Sequence, residues 1–406
     1  MQVRSSSVGV FAQLDDSGGQ VSSAQLNAER VIAISANTAW FLLNFRGGLI
    51  HSLVLAGYRV VVLAPEDAYS QQLRALGCEV LDTPMDNKGT NPFRDFALFL
   101  RFRKQYQRLK PAVALHLTIK PAIYGSFAAR TLRIPYVNTI PGLGTPFIHE
   151  NWVTRVVEVL YRASQKRAER VFFLNHDDHQ VFLDRRLVPP ERAEILRGEG
   201  VNLEHFPMVD LPAENEFRFL FIGRMLRDKG VLEFVDAARR VRQSASHARF
   251  QLLGPCGVEN RTAIAREMLD DWISEGVVEY LGETNDVRDF IAQAHCVVLP
   301  SYREGSPRAL LEGAAMGRPL IATDVTGCRD IVDDGVNGFL CRARDPDDLA
   351  QKMRRLIDTP TGLRRVMGAA GRSKVEQEFS EGKLISSYQS IIDRITAGNS
   401  VRERSA

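Results

Sequence analysis

From Arg30 onward the chain alternates short, continuously apolar runs with stretches at helical spacing, and few architectures accept that order. VIAIS (31–35), RVVVLAP (59–65), PAVALHL (111–117) and VFFLN (171–175) read as strands, with helical segments such as GGLIHSLVLAGY and NPFRDFALFLRFRKQYQRLK between them. The order repeats with FRFLFIG (217–223), ARFQLLG, VVEYLG, CVVLP, PLIAT and GFL (338–340). Strand, loop, helix, strand is the unit of a parallel sheet, because parallel neighbours need a crossover of about a dozen residues or more. Each half is therefore expected to be an α/β doubly wound parallel sheet. A chain of 406 residues also exceeds one ordinary core. The proline-containing, acidic stretch FPMVDLPAENE (206–216) marks the join. The expected division is a flexible tail at 1–28, a first unit at 29–208, a second at 209–379, and a last helix with tail at 380–406.

The stretch EGSPRALLEGAAMGRP (304–319) lies between two of these strands. Ser306 is a favoured N-cap and Pro307 a favoured first helical residue. Ala309, Leu310, Leu311, Ala314 and Ala315 are good helix formers, and Gly317 then Pro319 read as a stop. The helix start then sits at the carboxyl end of a strand, where free N–H groups and the positive end of the dipole make an anion site. Glu304 lies just outside that end; Glu312, six residues past Ser306, lies roughly 9 Å down the axis. The separation suits a ligand with its charged part at the helix tip and a hydroxylated ring farther along, since carboxylates accept hydrogen bonds from vicinal hydroxyls. On local sequence alone Glu312 equally suits a solvated ion pair with Arg308 at i,i+4.

Upstream, FRFLFIGRMLRDKGVLEFVDAARRVR (217–242) reads as a strand ended by Gly223, a loop holding Arg224 and Lys229, and a helix. Taken singly, the two cations are ordinary surface charges. Taken together, GR-x4-KG (Gly223, Arg224, Lys229, Gly230) followed by E-x7-E (Glu304, Glu312) resembles the retaining family 4 glycosyltransferases of GT-B fold, with two Rossmann-like domains facing a cleft. The resemblance covers the chain from about residue 30. LRGEGVNLEHFP (196–207) is similar to the hinge of that family, departing at Glu199, often a small residue there, and at Asn202, often Asp. DDGVNGFL (333–340) also fits. ALHLTIKPAIYGSFAA (114–129) and NTIPGLGTPF (138–147) resemble a bacterial subgroup that builds capsules, O-antigens and lipid-linked glycans.

The resemblance implies roles. Arg224 and Lys229 grip the donor diphosphate, with Gly223 and Gly305 in the donor loops. The backbone of Ser306, Pro307 and Arg308 meets phosphate. Glu312 holds the ribose hydroxyls, and Glu304 meets hydroxyls of the transferred sugar. The donor is UDP-GalNAc or UDP-Gal, and the acceptor a polyprenyl-diphosphate-linked glycan. Retention follows a same-face course, with no metal or other cofactor if the cations carry the leaving charge. The final helix, near 380–397, returns to the first domain.

In the first half, His116 ends a strand. Taken alone, a histidine in an apolar strand is a satisfied core residue. The carboxyl end of a strand is also where ligands bind in such sheets. By its match to the active-site histidine of the resembled family, His116 is expected to contact the donor sugar. Lys120 suits either an acceptor phosphate or the surface of a helix start. Asn37, after the first strand, is an acceptor-side candidate, and the Gly47–Gly48 pair reads as a helix start. RFRKQYQRLK (101–110) carries Arg101, Arg103, Lys104, Arg108 and Lys110 without an acid, and follows Phe93, Phe96, Phe99 and Phe102. NWVTRVVEVLYRASQKRAER (151–170) adds Trp152 and more bases. Basic amphipathic helices lie on anionic lipid; alternatively the aromatics are core and the bases a wet face.

Composition excludes other classes. A net charge of +3, from 52 basic and 49 acidic residues, gives no nucleic-acid signal. Five cysteines without a C-x-x-C fit a reducing compartment and argue against a disulfide framework or a cysteine zinc site. No apolar run approaches 18 residues, and 1–28 lacks the apolar core of a signal peptide. The expected location is the cytoplasm, with peripheral contact at the inner face of the membrane. Asp345 in DPD (345–347) reads as a helix cap before Pro346 rather than a metal ligand. Two rivals remain: a nucleotide-sugar epimerase on the same fold, and a catalytically silent sugar-nucleotide-binding scaffold. The intact set of Arg224, Lys229, Glu304 and Glu312 argues against the second.

Overall fold

The computed structural model describes residues 13–14, 20–21, 30–86, 91–143 and 152–403, with side chains described over 30–86, 91–143 and 153–397. β1 (Gln13–Leu14) and β2 (Gln20–Val21) form a short antiparallel ladder. The rest of the expected tail, and the side chain of Trp152, lie outside the described residues.

The first large sheet comprises β3 (Val31–Ser35), β4 (Arg59–Ala64), β5 (Glu79–Asp82), β6 (Val113–His116), β7 (Tyr136–Ile140), β8 (Arg170–Phe173) and β9 (Ala193–Ile195). Its order is β5-β4-β3-β6-β7-β8-β9, and every neighbouring pair is parallel. The second comprises β10 (Phe217–Ile222), β11 (Ala248–Leu253), β12 (Glu279–Tyr280), β13 (Cys296–Leu299), β14 (Leu320–Thr323) and β15 (Gly338–Cys341). It runs β12-β11-β10-β13-β14-β15, again all parallel. VVEYLG contributes only Glu279–Tyr280, at the sheet edge.

The apolar runs are continuous because both faces of each sheet are covered. In the first, Ile32, Ile34, Val60 and Val62 enter one core, and Val31, Ala33, Val61 and Leu63 the other. Strand order reverses between β3 and β6, and again between β10 and β13. At such switch points the crossover helices leave in opposite directions and open a crevice at the carboxyl ends.

Helix α1 (Ala39–Leu55) begins at the Thr38 cap, whose hydroxyl accepts from Phe41 N at 3.0 Å. Gly47 and Gly48 therefore lie inside this helix and do not start it. Helix α2 (Pro92–Leu109) begins at Pro92, with the Asn91 side chain accepting from Phe93 N and Arg94 N. Asp345 accepts from Asp348 N at 2.9 Å, the capping role expected of it.

Helix α3 (Glu381–Glu403) crosses back to the first sheet. There Leu384, Tyr388, Ile391, Ile392 and Ile395 join the core of α1 and β3. Near the join of the two units, the fully buried Arg318 donates to the carbonyls of Asp210 (2.7 Å), Val209, Ala294 and Met316. Burial pushes its guanidinium down to about 10, and those carbonyls keep the cation solvated.

Candidate functional site

Four loops leave the switch points, after β3 and β6 in one unit and after β10 and β13 in the other. In the second unit Gly223 closes β10, its N–H bonded to Leu253 O at 2.9 Å. Arg224 follows, exposed. A single turn, Arg227–Lys229, ends on Gly230 with φ 75°, where any side chain would overlap the Pro300 carbonyl. That turn aims Lys229 at the next loop: Nζ lies 2.5 Å from Glu304 Oε1. Ser301 Oγ donates to the same oxygen at 2.6 Å. Tyr302 N donates to Asp228 O at 2.9 Å and ties the two loops together.

Helix α4 (Arg308–Ala315) starts one residue later than Ser306 capping would require. Pro307 occupies the cap position and makes no side-chain cap bond. Ser306 Oγ instead accepts from Glu199 N at 3.2 Å. The result leaves the helix end without a capping side chain, the arrangement in which free N–H groups of a first turn can meet an anion.

Glu312 is buried on α4, and Arg308 Nε lies 2.6 Å from its Oε1. The i,i+4 pair thus forms, though not as a solvated one. Burial raises the Glu312 carboxyl and Arg308 partly offsets this. Arg308 itself reaches across to the first unit, with its guanidinium 5.1 Å from the Phe45 ring centroid and donating to Asn44 O.

The first-unit loops bring Asn37 and Thr118 together: Asn37 N donates to Thr118 Oγ1 at 3.0 Å. Lys120 is bound by Asp95, with Nζ 2.7 Å from Oδ1. It is neither a bare surface charge nor free for a phosphate unless Asp95 releases or shares it.

His116 is corrected. Its imidazole is fully buried and does not reach the crevice. Nε2 lies 2.9 Å from Tyr106 Oη and Nδ1 2.7 Å from Asn138 Oδ1. Burial pushes it down to about 4, against a partial lift from Asn138, so the ring is neutral. The strand alternation that carries residue 115 to one face carries 116 into the opposite one. His116→Ala should therefore lower stability by roughly 1–3 kcal/mol, the cost of leaving the buried Tyr106 hydroxyl without its imidazole partner. Turnover per folded molecule should stay close to that of the unaltered enzyme. Thermal melts with active-fraction kinetics check this, and a large kcat loss at unchanged stability would restore a catalytic role. The native value lies below the unfolded one, so the unfolded chain takes up the proton first as pH falls. The stability contribution is lost between about pH 6.5 and about 4, and His116→Ala should flatten that part of the profile.

Several partners carried no signal in the sequence. Gly305 packs against Pro141 and Gly142, and any side chain there would overlap the Pro141 carbonyl. Asn175 Nδ2 donates to Gly305 O at 2.9 Å. Thr326 Oγ1 donates to Asp177 Oδ2 at 2.6 Å, and Arg303 pairs with the buried Asp178. Glu199, the hinge departure, pairs with the fully buried Arg46 at 2.6 Å. The two units therefore meet directly at the Glu304–Ser306 loop. Residues 144–147 of NTIPGLGTPF lie outside the described residues.

Residues 216–359 match the family described as glycosyl transferases group 1, and residues 45–198 the glycosyl transferase 4-like domain. The N,N'-diacetylbacillosaminyl-diphospho-undecaprenol alpha-1,3-N-acetylgalactosaminyltransferase of Campylobacter jejuni is 27% identical over 369 residues, 87% of this chain and 95% of that protein. The UDP-Gal:alpha-D-GlcNAc-diphosphoundecaprenol alpha-1,3-galactosyltransferase of Escherichia coli is 26% identical, over 66% of this chain and 71% of that one. Among solved structures, a glycosyltransferase of Rickettsia africae superposes with TM-score 0.75 at 17% identity, covering 90% of this chain and 98% of that one. Anabaena HepE in complex with UDP superposes with TM-score 0.70 at 16% identity, covering 93% and 100%.

Proposed function

Since the chain belongs to the family 4 glycosyltransferases of GT-B fold, we propose that it moves N-acetylgalactosamine or galactose from a UDP-sugar to a polyprenyl-diphosphate-linked surface glycan, with retention. The observation that carries this is the Lys229–Glu304 contact in the loop that runs into the uncapped start of α4, with Arg224 exposed in the same loop as Lys229. Two cations and a helix end suit a nucleotide diphosphate, and two acids beside them suit hydroxyls. A glycosidase pair would instead straddle a glycosidic bond at a set separation, with no anion site beside it.

In the proposed reaction the bond from the sugar C1 to the UDP β-phosphate oxygen breaks. The acceptor hydroxyl oxygen bonds to C1 on the same face. The departing phosphate oxygen takes the hydroxyl proton. Arg224, Lys229 and the α4 end stabilise the charge that builds on the leaving group, the large contribution in such chemistry. Glu312 holds the ribose and Glu304 the transferred sugar.

The test is incubation with UDP-GalNAc or UDP-Gal, with and without a prenyl-diphosphate-linked acceptor, reading UDP release and the anomeric configuration of the product. Acceptor-dependent transfer with retained configuration is expected. Sugar interconversion without acceptor would favour the epimerase, and donor binding without turnover the scaffold. We further expect full activity in excess EDTA, because side-chain cations and backbone N–H groups hold the leaving group. Activity lost to EDTA and restored only by a divalent ion would overturn that.

Among the described residues no helix is long and apolar enough to cross a membrane. The reading places the enzyme at the inner membrane face as a peripheral protein, where a lipid-linked acceptor would be found.

A further inference from the structure

Helix α2 carries two apolar stripes. Leu98, Phe102, Tyr106 and Leu109 are buried in the first unit. Phe93, Phe96 and Leu100 repeat at i, i+3 and i+7 and face outward, with Phe93 85% and Phe96 61% exposed. The core explains the first stripe and not the second; contiguous exposed apolar surface of this kind marks a site of interaction.

Beside that stripe runs a groove of about 530 Å³. Phe96, Phe99, Tyr124 and Phe127 form its walls, and Arg130 and Arg167 stand among its lining residues, none of which is acidic. Tyr124, in the groove wall, connects it to Lys120 through Asp95. Its Oη donates to Asp95 Oδ2 at 2.9 Å, and the other oxygen of Asp95 holds Lys120 Nζ at 2.7 Å. Lys120 follows β6, whose carboxyl end opens on the crevice. Tyr124 and Asp95 thus link the aromatic groove and its two arginines to the cation that follows β6.

We propose that this groove holds the hydrocarbon chain of the lipid-linked acceptor, an isoprenoid, with its diphosphate end toward Lys120. The proposal rests on the functional reading above. It follows from the order of the chemistry: Lys120, shared with Asp95 and taken over by the diphosphate when it binds, then aromatic walls without acids, then arginines. An amphiphile with an anionic head and a long apolar chain matches that order. Arg130 and Arg167 would meet the headgroups of the bilayer from which the chain emerges. Asp95 keeps Lys120 at the junction of head and chain.

The test compares one glycosyl diphosphate carried on a long polyprenyl chain and on a short, water-soluble one. For Phe96→Ser, an exposed position whose loss leaves the core intact, the KM for the long-chain acceptor should rise about tenfold, as expected for losing one aromatic contact. The short-chain KM should move less than about twofold on the same argument. Equal shifts for both acceptors, or no dependence on chain length in the unaltered enzyme, would overturn the assignment. A second readout needs no turnover. A benzophenone-bearing polyprenyl diphosphate should label the peptides containing Phe96 and Phe127, and Phe96→Ser should lose the label. Labelling elsewhere defeats the proposal, as does equal competition by phosphatidylglycerol vesicles, which would make this a bulk-lipid site. Absence of transfer to any prenyl-linked acceptor would defeat the functional reading, and the photolabel would still decide the groove.

Discussion

Lys229→Ala is expected to lower kcat/KM by roughly 10- to 150-fold, and to do more damage than Arg224→Ala. A charge-assisted contact to phosphate contributes about 1.5–3 kcal/mol, which sets that range. Both cations would lose such a contact. Lys229 also neutralises Glu304, which it meets at 2.5 Å in a largely covered site. Without it, Glu304 keeps Ser301 as a donor but becomes an uncompensated carboxylate facing an incoming diphosphate. Arg224 is exposed, so its loss leaves no stranded acid. The difference should appear in a double-mutant cycle. Lys229→Ala with Glu304→Ala should be less impaired in UDP binding than Lys229→Ala alone, whereas Arg224→Ala with Glu304→Ala should be near additive. Calorimetry with UDP on the five variants measures it. Additivity in both cycles would mean that the Lys229–Glu304 pair does not shape donor binding.

Glu312→Ala and Glu304→Ala are expected to fail in different constants. Glu312, placed for the ribose, serves a part shared by donor and free nucleotide, so its loss should weaken UDP and UDP-sugar alike. Its removal also frees Arg308 from the 2.6 Å pair that orients it toward the first unit. Glu304, placed for the transferred sugar, should leave UDP affinity unchanged or tighter, since Lys229 is released to the phosphate. Its turnover should fall, because an interaction that strengthens only in the transition state appears in kcat. Glu304→Gln separates charge from hydrogen bonding. Turnover as low as in the alanine variant points to charge near the reacting carbon, and partial recovery points to a hydrogen bond alone. Equal losses of UDP affinity at 304 and 312 would make Glu304 a second nucleotide anchor.

The two parallel sheets were legible because parallel strands buried on both faces leave unbroken apolar runs, as in VIAIS and FRFLFI. The loops carrying Gly223–Lys229 and Glu304–Arg308 were legible because each lies between such a run and a helix. Other features have no local signature. Whether Ser306 caps α4 or bonds Glu199 N depends on a residue over a hundred positions away. His116 looked like a crevice residue because a strand end is near the crevice whichever face its side chain takes. The buried partners Tyr106 and Asn138 decided that face. Gly305 reads as a loop glycine, yet the approach of Pro141 is what requires it. The phenylalanines of α2 divided: Phe102 is core, while Phe93 and Phe96 face out. Spacing alone gives both stripes and cannot rank them.

The return of α3 to the first sheet bears on how the protein is made. Ile392 and Tyr388 pack with residues translated more than three hundred positions earlier, such as Ile34 and Leu53. The first unit therefore emerges from the ribosome with one apolar flank uncovered, and holds it open until the second unit has been synthesised. Contacts of such sequence separation form late and slow assembly. A nascent chain stopped before residue 381 should carry both sheets but a first one with a bare apolar face, so the amino-terminal half would be the part that chaperones engage.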